Sequence, residues 1–230
     1  MEESLESLLN EIKGRLAALE SSLPRHVDAL AVSRTAKLPF KALLYREALI
    51  WRIAELGRAA FQTFEHDELA SAILLTRAAI ETSAAVWYLG AKLDSALESR
   101  SLGNIDDYLM KLAMGSKTDP DMPQAINVLT FVDHVDKTIQ GFRGRYDVLS
   151  EFAHPNWAGT TFLYSKSDPP NFCTDFGTNV RDVSSAKKSG VIGLSVALMI
   201  FERSYNRIGD SLPAFITLCE GALKGPAPAT

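Results

Sequence analysis

Cysteine is nearly missing from this chain: Cys173 and Cys219 are the only two in 230 residues. They stand far apart and without metal-ligand spacing, which excludes a disulfide scaffold and fits a reducing, cytoplasmic compartment. Runs of basic residues are missing as well. None is longer than Lys187-Lys188 and the net charge is −4, so there is no strong nucleic-acid signature and no global attraction to an anionic membrane. Glycine-rich phosphate loops and a Gly-x-Ser-x-Gly elbow are absent, which removes the common signatures of nucleotide hydrolysis and serine hydrolysis. The N-terminus, MEESLESLLNEIKGRL, is acidic and amphipathic and lacks the basic start and purely apolar stretch of a signal peptide. The uncharged apolar run from Gly190 to Phe201 is too short to span a bilayer, so no membrane association is expected.

What the chain does have is helical periodicity. Leu5, Leu9, Ile12, Leu16, Leu19 and Leu23 recur at spacings of four and three, a narrow apolar seam over residues 2–23 that Pro24 closes. That N-terminal amphipathic helix, residues 1–24, must be covered by its own bundle or by a second copy, and a homodimer is the expected assembly. A second helix is predicted from about Pro39 to Phe64. A third, almost wholly apolar, runs from a cap at Asp67 to about Glu98. Shorter helices follow at Ile105–Met114, Gln124–Ile139 and Phe142–His154, with the turn-forming stretch Gly115 to Pro123 between the first two. Thr160 to Ser165 and Phe172 to Phe176 are aromatic and β-prone, and predict a small hairpin joined by the KSDPPN loop. Ser184 or Ser185 caps a helix to about Ile208, and Gly209-Asp210 leads into a last one from Leu212 to Leu223. The fold expected is all-α: an antiparallel helical bundle over residues 25–224 with a β-hairpin excursion near 160–176, and a disordered tail at 225–230.

Charge inside the third helix singles out a site. Between Ala70 and Leu93 only Arg77, Glu81 and Lys92 carry charge, and Arg77 and Glu81 are one turn apart on one face. A buried pair of this kind needs further hydrogen-bonding partners. The segment RGRYDVLSEFAHPNW, Arg143 to Trp157, can supply them. Arg143, Asp147, Ser150 and His154 step along one side of a helix, with Tyr146 beside them. Guanidinium, phenol, hydroxyl and imidazole together suit anion binding and proton transfer. A solvated helix face with His154 at its C-terminus, where a cation is favoured, explains the same residues without chemistry. Glu151 and His154 have the Glu-x-x-His spacing of helical di-metal proteins, but His26, His66 and His134 do not repeat it, so neither metal nor cofactor is expected.

The segments LLTRAAIETSAAVWYL (Leu74 to Leu89) and YDVLSEFAHPN (Tyr146 to Asn156) resemble a group of uncharacterised bacterial helical proteins. Those carry an Arg-x-x-x-Glu helix and a later Tyr-x-x-Leu-Ser-x-x-x-His-Pro helix end. That group is similar in layout to the HEPN superfamily, compact helical bundles that include metal-independent ribonucleases and toxins. The resemblance implies a HEPN-like bundle with His154 as candidate catalytic histidine. HEPN ribonucleases place an Arg shortly before that His. Here the corresponding positions are Asp147, Val148 and Leu149, and Arg143 and Arg145 lie further upstream. The expected function is therefore binding of a small anionic or nucleotide-like ligand, or of a partner, through Arg77, Glu81, Arg143, Tyr146, Ser150 and Asn156. The alternative is a metal-independent endoribonuclease in a toxin or defence role, acting on RNA through His154.

Overall fold

A computed structural model describes residues 4–224; the expected tail at 225–230 lies outside them. Helix α1 (Leu5–Ser21) starts where the Ser4 hydroxyl accepts the Ser7 N–H at 3.1 Å. A single turn, α2 (Ala29–Val32), follows, and then the long pair α3 (Leu38–Glu65) and α4 (Leu69–Ser99). Helices α5 (Ile105–Met114), α6 (Val128–Asp136) and α7 (Phe142–Ala153) wrap around that pair. After them come the turn α8 (Thr161–Tyr164), the antiparallel hairpin β1 (Ser165–Asp168) and β2 (Cys173–Phe176), and α9 (Ser184–Leu223). The result is an all-α bundle with a small β excursion, as its helical periodicities predict.

Helix α4 is the axis of the fold. It packs most extensively on α9 and α3, and also on α5, α6 and α7. Its small residues permit that crowding: Ala72, Ala79 and Ala84 are fully buried and let neighbouring helices approach closely, while Ile73, Ile80, Leu89 and Leu93 fill the space between them. By length and apolar composition α4 would also suffice to cross a membrane, yet 56% of its most apolar window is buried within the bundle. Of the expected α1 seam, Ile12 and Leu16 are buried against α3 and α9 together with Leu8, which lies outside it, while Leu5, Leu9, Leu19 and Leu23 are partly buried.

Several elements depart from the sequence expectations, each for a local reason. Asp67 does not cap α4; Glu68 occupies that position, while Asp67 takes a left-handed conformation (φ 59°) and binds the Lys187 ammonium of α9 at 2.5 Å. Helix α6 is shorter than expected because the Asn127 side chain accepts the Leu129 N–H at 3.0 Å and starts the helix there. The first strand is shifted: Thr161 to Tyr164 form a helical turn, and the polar residues Ser165 to Asp168 make β1. The two expected C-terminal helices are one. Helix α9 runs through Gly209 and Pro213 without a break, held by apolar residues buried on both sides of that stretch, from Val191 to Ile208 and again at Phe215 and Cys219.

Candidate functional site

Arg77 and Glu81 do meet on α4, with Arg77 Nη2 3.3 Å from Glu81 Oε1. The third member is Tyr146 of α7. Its hydroxyl accepts a hydrogen bond from Arg77 Nη2 at 2.7 Å and donates one to Glu81 Oε1 at 2.9 Å. The Tyr146 ring is buried among Phe142 and Leu149, and the Arg77 guanidinium lies 5.1 Å from its centroid. The three side chains thus tie α4 to α7 by a charged, hydrogen-bonded link.

The pair is not in the core, which corrects the expectation of a fully buried ion pair. The Arg77 and Glu81 side chains are 28% and 25% exposed, so they sit at the edge of the apolar contact and keep part of their hydration. Helix α4 is not buried all round either, since Leu74, on the turn before Arg77, is 47% exposed. What is buried is the Arg77 Nε–H, which has no hydrogen-bond partner among the described residues. Nη1 makes no hydrogen bond among the described residues, so only Nη2 of this guanidinium is engaged by protein.

The remaining sequence candidates are not gathered at this point, because other partners hold them. Tyr146 shares the inward face of α7 with Phe142 and Leu149, whereas Arg143 is half-buried on the flank of that face and Asp147 and His154 are exposed. Arg143 is held by two carboxylates, Asp133 on α6 at 2.5 Å and Asp147 at 2.9 Å, and serves as a clamp between α6 and α7. These carboxylates raise its pKa further above the ordinary guanidinium value. Ser150 donates to the Tyr146 carbonyl one turn back at 2.9 Å. His154 ends α7, its backbone N–H bonded to the Ser150 carbonyl at 3.2 Å, and its exposed imidazole makes no hydrogen bond among the described residues. Asn156 organises the following turn, donating to Glu151 at 2.7 Å and accepting the Gly159 N–H at 3.1 Å. Among the described residues no three His, Cys, Asp or Glu side chains cluster as metal ligands would.

Two polar clusters escaped the sequence reading. In the first, Arg46 lies 3.4 Å from the Tyr205 ring centroid, donates through Nε and Nη2 to the Tyr205 carbonyl and pairs with Glu47. The Tyr205 hydroxyl donates to Glu47 Oε2 at 2.5 Å, and the Arg46 and Glu47 side chains are each only 12% exposed. Burial, with the bond to Glu47, pushes the Tyr205 phenol up. The adjacent charges on α3 were visible, but nothing in the spacing points to a tyrosine so far along the chain. In the second cluster Lys92 Nζ lies 3.9 Å from the Tyr108 ring centroid and 5.0 Å from that of Tyr88. The His134 ring packs on Tyr88 with its Nδ1 buried and unpartnered. Burial first, and then the charges of Lys137 and Lys92, lower the His134 pKa.

No known protein family, curated protein or solved structure matches this chain.

Proposed function

We propose that this protein is a binding protein whose α4–α7 edge takes a small ligand of anionic or nucleotide-like character through Arg77. One observation carries the reading: the Arg77 guanidinium, which has five N–H donors, is hydrogen-bonded among the described residues only through Nη2. Nε is buried and closed to a ligand, so the donors the half-buried side chain holds for one are those of Nη1, which makes no hydrogen bond among the described residues. Glu81 stands beside it with Oε2 unengaged among the described residues. The edge therefore offers donors and an acceptor side by side, which suits a carboxylate or phosphate carrying a neighbouring N–H or O–H, as a nucleotide does. A bare dianion would meet repulsion from Glu81.

The ribonuclease alternative places the reaction at His154. Its neighbours Glu151 and Asn156 bond to one another, and Arg143 is neutralised by Asp133 and Asp147, so these neighbours provide no free cation for a phosphodiester. Binding is thus the better supported reading. A titration of the intact protein with adenosine monophosphate and with inorganic phosphate, followed on the Arg77 15Nε–1H resonance, tests it. The expected result is a saturable shift with the nucleotide, weaker with phosphate, and unaltered by His154→Ala. An Arg77 resonance that stays fixed at millimolar nucleotide would overturn the proposal. Metal-independent RNA cleavage that disappears in His154→Ala would establish the alternative instead.

A further inference from the structure

Lys92 differs from other half-buried lysines of this chain. Lys41, Lys111 and Lys187 each meet a carboxylate, of Asp106, Asp107 and Asp67 in turn. Lys92 makes neither an ion pair nor a hydrogen bond among the described residues. Its ammonium lies instead over two rings, 3.9 Å from the Tyr108 centroid and 5.0 Å from that of Tyr88. Ring faces attract the charge, yet they leave its three N–H donors without an oxygen acceptor. Acidic residues that flank it in the sequence are committed elsewhere: Asp94 to Arg207, Asp106 to Lys41 and Asp107 to Lys111. Glu98 is exposed and lies about 120° away from Lys92 around α4. His134, whose ring centroid is 5.3 Å from that of Tyr88, feels the uncompensated charge. Its pKa is lowered by burial first, and then by Lys137 and Lys92.

Lys92 also lines a cavity of about 310 Å³ between the end of α4 and the start of α5, within the roughly 300–1,000 Å³ of small-molecule sites. No carboxylate is among the residues that line it. Ser95, Ser101, Asn104 and Tyr108 do line it, and none of these four side chains makes a hydrogen bond among the described residues. We propose that this cavity is a second ligand site for a small hydroxylated organic anion, of the sugar-acid or polyol-phosphate kind. The anionic group sits on the Lys92 ammonium, and the ligand hydroxyls meet Ser95, Ser101 and Asn104. An ammonium is a compact point charge that binds a carboxylate or phosphate oxygen by charge-assisted hydrogen bonds. Serine hydroxyls and an asparagine amide both donate and accept, which matches a ligand hydroxyl that does the same. A single cation selects one anionic group rather than a polyanion. The cavity is about 22 Å along α4 from Arg77 and does not depend on the reading there.

Titration of the full chain with gluconate, glycerol phosphate, glycerol and sulfate, followed on the His134 imidazole by NMR across a pH series, tests the proposal. A bound anion offsets the Lys92 charge, so the His134 pKa should rise in a saturable way with gluconate or glycerol phosphate. Whichever binds more tightly identifies the anionic group. Glycerol should leave the pKa unmoved, and sulfate, which has no hydroxylated skeleton, should bind at least tenfold more weakly. Lys92→Met should raise the His134 pKa by itself and weaken anion binding at least tenfold, through loss of a charge-assisted bond. Lys117→Met, at an exposed residue of the loop before α6, should change neither. A His134 pKa indifferent to both hydroxylated anions, sulfate equal to them in affinity, or binding that survives Lys92→Met would each overturn the proposal.

Discussion

Removing one oxygen atom, by Tyr146→Phe, tests the link between α4 and α7. The hydroxyl accepts from Arg77 at 2.7 Å and donates to Glu81 at 2.9 Å, on a residue only 3% exposed. Hydrogen bonds to charged groups contribute about 1.5–3 kcal/mol each where both partners are shielded. Here the charged partners are 28% and 25% exposed and remain 3.3 Å apart without the hydroxyl, so water and the surviving ion pair recover part of the loss. The expected net cost is about 1–2 kcal/mol, which lowers the melting temperature by roughly 2–8 °C in a chain of this size. Glu81→Ala should cost a similar amount rather than the ~3–5 kcal/mol of breaking a fully buried pair. The double variant should cost less than the two changes added together, because both remove the same bond. Urea unfolding followed by circular dichroism measures all three. An unchanged midpoint in Tyr146→Phe would mean that the hydroxyl is not bridging the helices in solution. A loss of ~4 kcal/mol or more in Glu81→Ala would mean that the pair is buried after all.

Gly190→Ala should destabilise by about 1–3 kcal/mol, because the added Cβ would lie 2.7 Å from Cζ of the fully buried Phe64 ring; a midpoint equal to wild type in urea would refute that close approach of α9 to α3. Arg100 closes α4 in a left-handed conformation (φ 51°), with Ser101 N–H bonded to the Ala96 carbonyl, so Arg100→Gly should raise stability by about 0.5–1 kcal/mol. Calorimetry showing no gain would place Arg100 outside the left-handed region. His134 has its pKa lowered in the fold by burial, so the unfolded chain binds its proton more readily. Stability from this group is full above its ordinary value of 6.5 and declines as pH falls through and below that value. Unfolding midpoints between pH 7 and pH 5 should therefore fall more steeply in wild type than in His134→Asn, and parallel curves would exclude the effect.

The helices were legible wherever one face stays apolar for several turns. The helix expected at Ile105–Met114 is α5 residue for residue, because Gly103 and Gly115 bracket a short amphipathic segment. Residues Arg77, Glu81 and Tyr146 were also legible as partners, since charge on an apolar helix must find polar company. The rest of the expected site was lost to competing partners. Arg143 and Ser150 stand three residues before and four after Tyr146 and close to it in phase, but Arg143 is drawn to Asp133 and Asp147 and Ser150 to the Tyr146 carbonyl, while His154 lies beyond the last helical residue of α7 and is exposed. The carboxylates that capture Arg143 sit partly on another helix, at Asp133, which no local pattern reveals. Continuity of α9 through Pro213 was hidden as well, because glycine and proline read locally as breaks while the deciding force is burial of Phe215 and Cys219 beyond them.

The partnership of α4 with α9 has a consequence for how the chain is made. At synthesis rates of roughly 5–20 residues per second, ribosomes need about 6–25 seconds to pass from the end of α4 to the end of α9. Throughout that interval the long, largely apolar helix α4 lacks the neighbour that covers more of it than any other. Contacts so distant along the chain also slow folding itself. The nascent polypeptide is therefore a natural client for chaperones. Premature stop codons anywhere in residues 184–223 should yield insoluble or rapidly degraded product rather than a smaller folded protein.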